Sequence, residues 1–76
     1  MNSDLESIVR THLNVPPPQV RPEATWDDLG FDSLSLAELS LLLTEHTHLD
    51  ISDRDLQQAR TLGAVSDLLE QKLAQR

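Results

Sequence analysis

The sequence predicts an all-α fold of three long helices, one short helix and a long first loop. Three observations carry that expectation. Apolar residues, chiefly leucine, recur at helical spacing in three separate segments, and residues able to cap a helix stand at or near the segment starts. The chain has 76 residues, too few for more than one ordinary domain, so residues 1–76 read as a single unit. It also has no cysteine and only two aromatic residues, Trp26 and Phe31, so aliphatic packing alone must hold it together.

From Ser3 to about Leu13, Leu5, Ile8, Val9 and Leu13 fall on one helical face, and Ser3-x-x-Glu6 has the form of a capping box. Asn14 and then Pro16-Pro17-Pro18 end that helix. The proline triplet removes three donors in a row and favours extended polyproline geometry. The connection runs to Asp32 through Pro22. Within it, Thr25-Trp26-Asp27-Asp28 can form one capped turn, and Val20, Trp26, Leu29 and Phe31 are the apolar anchors.

A second long helix follows from about Ser33 to Glu45 or His46. Leu36, Leu39 and Leu43 form the line assigned to the core. Leu34, Ala37 and Leu41 then lie on a neighbouring stripe, with Glu38 and Glu45 along the same side. A helix this apolar is either buried nearly all round or carries a second patch for partners. Ser52-x-x-Asp55 caps a short helix to about Ala59, with Ile51 and Leu56 turned inward. Thr61 begins the last helix, in which Leu62, Val65, Leu68, Leu69 and Leu73 keep helical spacing. Lys72 and Arg76 stand near its negative end.

Charge narrows the function classes. Thirteen acidic residues against six Lys plus Arg give a net charge of −7, which disfavours nucleic acid and anionic membrane and favours a basic partner. The first residues lack the pattern of a secretory signal, and no apolar run approaches the roughly 18 residues that span a bilayer. The expectation is a cytoplasmic protein without membrane insertion.

The informative stretch is Asp28-Leu29-Gly30-Phe31-Asp32-Ser33-Leu34-Ser35-Leu36. Gly30 relaxes the backbone just before a helix, and Ser33 falls at the helix threshold, where unsatisfied N–H groups and the positive dipole end favour an attached anion. On local physics alone, simple capping is the more economical account. Asp32 or Ser33 can be the N-cap, and Ser35-x-x-Glu38 offers a competing capping box one turn in.

The run Asp-Leu-Gly-Phe-Asp-Ser-Leu resembles the attachment motif of acyl carrier proteins: Gly, any residue, Asp, Ser, Leu, with an acidic residue two before the Gly. The order of helices, the length and the acidity are similar over essentially the whole chain. The resemblance implies an all-α four-helix bundle of the acyl-carrier type. It also implies that Ser33, flanked by Asp32 and Leu34, accepts 4′-phosphopantetheine from coenzyme A. A separate magnesium-dependent phosphopantetheinyl transferase would carry out that transfer and leave a phosphodiester. The arm's thiol then carries acyl groups as thioesters, so the protein is a shuttle and not a catalyst.

By the same resemblance the second long helix is the recognition helix. Leu34, Ala37, Glu38, Leu41 and Glu45 would face acyl-loading, condensing and modifying enzymes. A small apolar patch in acidic surroundings suits brief docking and fast release. A monomer is the natural expectation for such a shuttle. The chain departs from the family pattern at Ser35, where an acidic residue is frequent, and at Ser40 and Thr47, where apolar residues are expected. The last two imply a less filled core or a rearranged helix end. With the Thr25–Leu34 run, these departures look more like carriers of polyketide or related specialised pathways than of primary fatty-acid synthesis. Within the family, an aminoacyl or aryl carrier is a further alternative.

Competing readings are weaker. Ser33 and Asp32 with His12, His46 or His48 suggest a hydrolase, but Gly-x-Ser-x-Gly is absent and adjacent Asp and Ser cannot form the usual relay. His46 and His48 lie two apart and do not share a helix face. Asp50, Asp53 and Asp55 lack the Gly and closing Glu of a calcium loop. No metal site is therefore expected. The serious rival is a non-covalent acidic adaptor that binds a partner helix through the Leu34 and Leu41 stripe.

Overall fold

A computed structural model describes residues 1–75. Its first helix, α1, spans Ser3–Thr11 and buries Leu5, Ile8 and Val9, the face that the spacing predicts. The cap is Asn2 and not the Ser3-x-x-Glu6 box: the Asn2 side chain accepts from the Leu5 N–H at 3.0 Å. Tertiary contacts select this register. The Asn2 backbone N–H donates to Ser66 Oγ at 2.7 Å, and its side-chain amide donates to Glu70 Oε1 at 3.2 Å, tying the start of α1 to the last helix. Asn14 takes a left-handed conformation (φ 58°) and ends the helix, after which the Val15 N–H returns to the Val9 carbonyl.

Pro16 is extended, as expected, but Pro17–Gln19 forms a 3₁₀ turn instead of continuing polyproline geometry. The fixed proline φ suits both, and the N–H groups missing at Pro17 and Pro18 stand at the start of the turn, where no internal partner exists. The Gln19 and Val20 N–H groups close the turn onto the Pro16 and Pro17 carbonyls. Further on, the connection is fastened to the start of the last helix. Leu62 N–H donates to the Ala24 carbonyl at 3.1 Å and Gly63 N–H to the Pro22 carbonyl at 2.8 Å. Gly63 permits that approach, since a Cβ there would stand 2.8 Å from the Pro22 oxygen. The expected single turn forms as α2, Trp26–Leu29, with a reciprocal capping box between Thr25 and Asp28.

The second long helix, α3, spans Ser33–Thr47 and is capped by Asp32. Leu36, Leu39 and Leu43 are its buried leucines, as the spacing predicts. Helix α4, Asp53–Ala59, carries the expected Ser52–Asp55 capping box and buries Leu56. Helix α5, Leu62–Ala74, starts from Thr61, whose hydroxyl accepts from the Ala64 N–H. Lys72 lies in its last turn, whereas Arg76 falls outside the described residues. The arrangement is thus three long helices and a short one, with α2 as an added turn inside the first loop.

The core is aliphatic. Leu5, Val9, Leu39, Leu43, Leu56, Leu62, Val65 and Leu69 are fully enclosed, and Trp26 is its one buried aromatic residue among those described. Val15, Ala24, Leu49 and Ile51 also close over it from the connections, while Leu13, Leu68 and Leu73 pack only partly against it. Helix α3 packs on α1 and α4, and α4 on α5. The long first connection carries the chain back across the molecule, so the C-terminal ends of α1 and α3 meet at His12 and His46.

Candidate functional site

The entry to α3 is built from both sides. Gly30 ends α2 in a left-handed conformation (φ 71°), with nothing within 4 Å of where a Cβ would stand, so conformation and not space calls for glycine there. The Phe31 N–H then donates to the Trp26 carbonyl at 2.9 Å. The two rings stack with centroids 5.8 Å apart and planes within 5°. Trp26 is fixed in turn by its indole N–H, which donates to the buried Leu56 carbonyl of α4 at 2.8 Å. Phe31, immediately before Asp32-Ser33, is thereby tied through Trp26 to the core.

Asp32 adopts extended backbone geometry and caps α3, its Oδ1 accepting from the Ser35 N–H at 2.9 Å and the Ser35 hydroxyl at 3.0 Å. The Ser35-x-x-Glu38 box therefore does not form, because Ser35 is spent on Asp32 at the third helical position. Those two bonds, the backbone one first, hold the Asp32 carboxyl below its ordinary value of 3.8. The Asp28 carboxyl is lowered in the same way by the Thr25 amide and hydroxyl.

With the cap role taken by Asp32, Ser33 is the first helical residue, exposed to solvent, and its hydroxyl makes no hydrogen bond among the described residues. The positive end of the longest helix lies behind it. An anion attached to Ser33 Oγ would be favoured there by about 0.3–1 kcal/mol, the usual surface effect. The residues present thus fit a covalently held phosphodiester.

Leu34 (75% exposed) and Leu41 (59% exposed) are the two leucines of the chain that remain open to solvent, and Ala37, Glu38 and Glu45 are exposed beside them. The structure therefore brings the five residues expected to face partners onto the outer side of α3, continuous with Ser33. It does not bring the histidines to Ser33: His12 and His46 pair at the other end, about 20 Å along α3 at 1.5 Å per residue. Asp55 is engaged as a capping residue and Asp53 opens α4. Among the described residues, no three His, Cys, Asp or Glu side chains are placed to hold a metal ion. An open groove of about 340 Å³ between α4 and α5, lined in part by Ala59, Ala64 and Leu68, includes no residue of α3.

Two features were not legible. The Trp26–Phe31 stack joins two elements, and only the aromatic pair itself hints at it. Thr47, where an apolar residue was expected, is buried and replaces apolar filling with hydrogen bonds. Its hydroxyl donates to the Leu43 carbonyl at 2.6 Å and accepts from the Leu49 N–H at 3.2 Å, shaping the helix end. Ser40 similarly turns its hydroxyl onto the Ala37 carbonyl at 2.8 Å.

Comparison with known proteins bears on this site. Residues 3–69 match the family described as "phosphopantetheine attachment site". The chain is 38% identical over 69 residues to an acyl carrier protein of Bdellovibrio bacteriovorus, covering 90% of this chain and 88% of that protein. It is 35% identical over 68 residues to one from Wolinella succinogenes, covering 88% and 90%. With one from Chlamydia muridarum the identity is 33% over 73 residues, covering 95% of each. No solved structure matches the chain. No helix among the described residues is long and apolar enough to cross a membrane.

Proposed function

The chain belongs to the phosphopantetheine-bearing acyl carrier protein family, and from that premise we propose that Ser33 is the residue that carries its arm. The protein is a carrier and not a catalyst, and a covalently attached 4′-phosphopantetheine is its prosthetic group. When bound, that group supplies a terminal thiol for thioester chemistry, which a chain without cysteine lacks. The chain's own residues supply the attachment point and its surroundings. Ser33 offers an exposed hydroxyl to a phosphopantetheinyl transferase. Asp32 fixes the start of α3, with its carboxylate turned to Ser35 and away from competition for the serine oxygen. Leu34 gives the transferase an apolar grip next to the target.

The observation that carries this reading is the exposed Ser33 hydroxyl at the head of α3, which makes no hydrogen bond among the described residues. The test is to incubate the chain with coenzyme A, magnesium and a broad-specificity transferase and weigh it intact. Wild type gains the arm and Ser33→Ala does not. A Ser33→Ala chain that still loads, or a wild type that stays bare while a control carrier loads, defeats the proposal and leaves the non-covalent adaptor in its place.

Members of the family work with synthase and transferase enzymes. For this chain the proposed contact face is Leu34, Ala37, Glu38, Leu41 and Glu45, supported by their joint exposure on one side of α3. Charge complementarity would set the encounter rate with acyl-loading, condensing and modifying enzymes, and the small apolar area keeps release fast. Glu38→Lys, distant from the core, should slow acyl transfer without changing helicity. Undiminished transfer removes Glu38 from the contact.

The proposal extends to polyketide or related specialised biosynthesis, in a monomer of one domain spanning residues 1–76 that works in the cytoplasm. Departure from the common family pattern at Ser35, Ser40 and Thr47, with the Thr25–Leu34 run, supports the pathway assignment. A cell depleted of its primary fatty-acid carrier discriminates: failure to restore growth fits the assignment, and full rescue overturns it.

A further inference from the structure

At the end of the molecule remote from Ser33, His12 caps the C-terminus of α1 and His46 lies in the last turn of α3. Their rings meet across the two helices with centroids 5.5 Å apart and an interplanar angle of 64°. Both side chains are exposed.

Three physical points turn this contact into more than proximity. His46 Nδ1 stands 2.8 Å from the Leu42 carbonyl oxygen. A carbonyl only accepts, so Nδ1 carries the hydrogen, and in the neutral ring the lone pair is left on Nε2. Histidines that bind metals are oriented by this kind of second bond. The separation is also suitable. With metal–nitrogen bonds of about 2.0–2.1 Å and the ring centre roughly 1.1 Å behind the nitrogen, two imidazoles at a tetrahedral angle have centroids about 5 Å apart. The observed centroid separation of 5.5 Å lies close to that value. Finally, both residues sit at helix C-termini, where terminal carbonyls and the negative dipole end favour a cation. Arg10 in the last turn of α1 and Glu45 beside His46 are the nearest charged residues in sequence, and their charges offset.

We propose that His12 and His46 form an open two-imidazole site for a divalent transition cation, Cu²⁺ ahead of Zn²⁺, with water completing the coordination. The order follows from the general affinity series for nitrogen ligands. The occupied site clamps the C-terminal ends of α1 and α3 together, and it stands independently of the assignment of Ser33.

The test uses the full chain free of any appended histidines, titrated calorimetrically with CuCl₂ and ZnCl₂, and electron paramagnetic resonance of the Cu²⁺ form. Expected are one cation per chain, tighter binding of Cu²⁺, and hyperfine structure from two nitrogen ligands. His12→Gln and His46→Gln should each weaken binding at least tenfold, with His48→Gln within about twofold of wild type. Metal-free thermal unfolding confirms that all three variants fold. An oxygen-only spectrum, wild-type affinity in the His12→Gln/His46→Gln double variant, or an equal loss in His48→Gln overturns the proposal.

Discussion

The two faces of α3 use the same residue type for opposite ends. Leu36, Leu39 and Leu43 point into the bundle and are closed off from water, whereas Leu34 and Leu41, on the same helix, stand 75% and 59% exposed. Leucine content alone cannot tell these apart. Three residues along a helix advance the side chain by about 300° and four by about 400°, so Leu36, Leu39 and Leu43 stay on one line while Leu34 and Leu41 fall outside it. The inner line holds the domain together, and the outer residues cost solubility without improving packing. Their exposure beside Ser33 supports the proposed docking role.

Substitutions on the two faces should separate stability from transfer. The largest effect is expected at the inner face. Leu39→Ala removes a fully enclosed side chain and should cost about 2–5 kcal/mol. Ordinary domains are stable by roughly 0.05–0.15 kcal/mol per residue, so this would use up much of the total, read by urea unfolding. A loss below 1 kcal/mol would show that the inner line is loosely packed. Next comes Thr47→Val, which keeps the shape of the inner face but leaves the buried Leu49 N–H without its hydroxyl acceptor, a loss of about 1–3 kcal/mol. If Val stabilises the chain, the apolar filling expected at that position was the better solution.

Asp32→Ala acts at the junction of the two faces. Folding lowers the Asp32 carboxyl below 3.8, so the carboxylate form contributes stability above the unfolded value and loses it as pH falls through the folded one. The variant should melt at a lower temperature than wild type at neutral pH, and the gap should close on acidification below about pH 3.8. A gap that does not depend on pH contradicts the cap's ionic character. The smallest stability effect belongs to the outer face: Leu41→Ala should change unfolding by no more than about 0.5 kcal/mol while slowing acyl transfer to a partner enzyme severalfold. Unchanged transfer would leave the outer leucines without a function.

What could be read in the sequence follows the range of the interactions involved. Helical spacing located α1, α3 and α5, and the Thr25–Asp28 and Ser52–Asp55 boxes form as their spacing implies, because those bonds span three residues. The cap of α1 differs because Asn2 is chosen by partners 64 and 68 residues away, Ser66 and Glu70. Val15, Ala24 and Leu49 are buried from connections that have no periodicity to reveal them. The same holds for the site. The place of Ser33 at the head of α3 could be read from the sequence, but the support of that helix start through Phe31, Trp26 and the Leu56 carbonyl could not, since that last bond joins residues 30 apart.

The claim on which the whole account rests is that Ser33, at the meeting point of the inner and outer faces, bears the arm. Tandem mass spectrometry of the wild-type chain after loading tests it at the level of the bond. The account predicts that the added mass fragments with Ser33 alone. Added mass on Ser35, Ser40 or any other hydroxyl would contradict it.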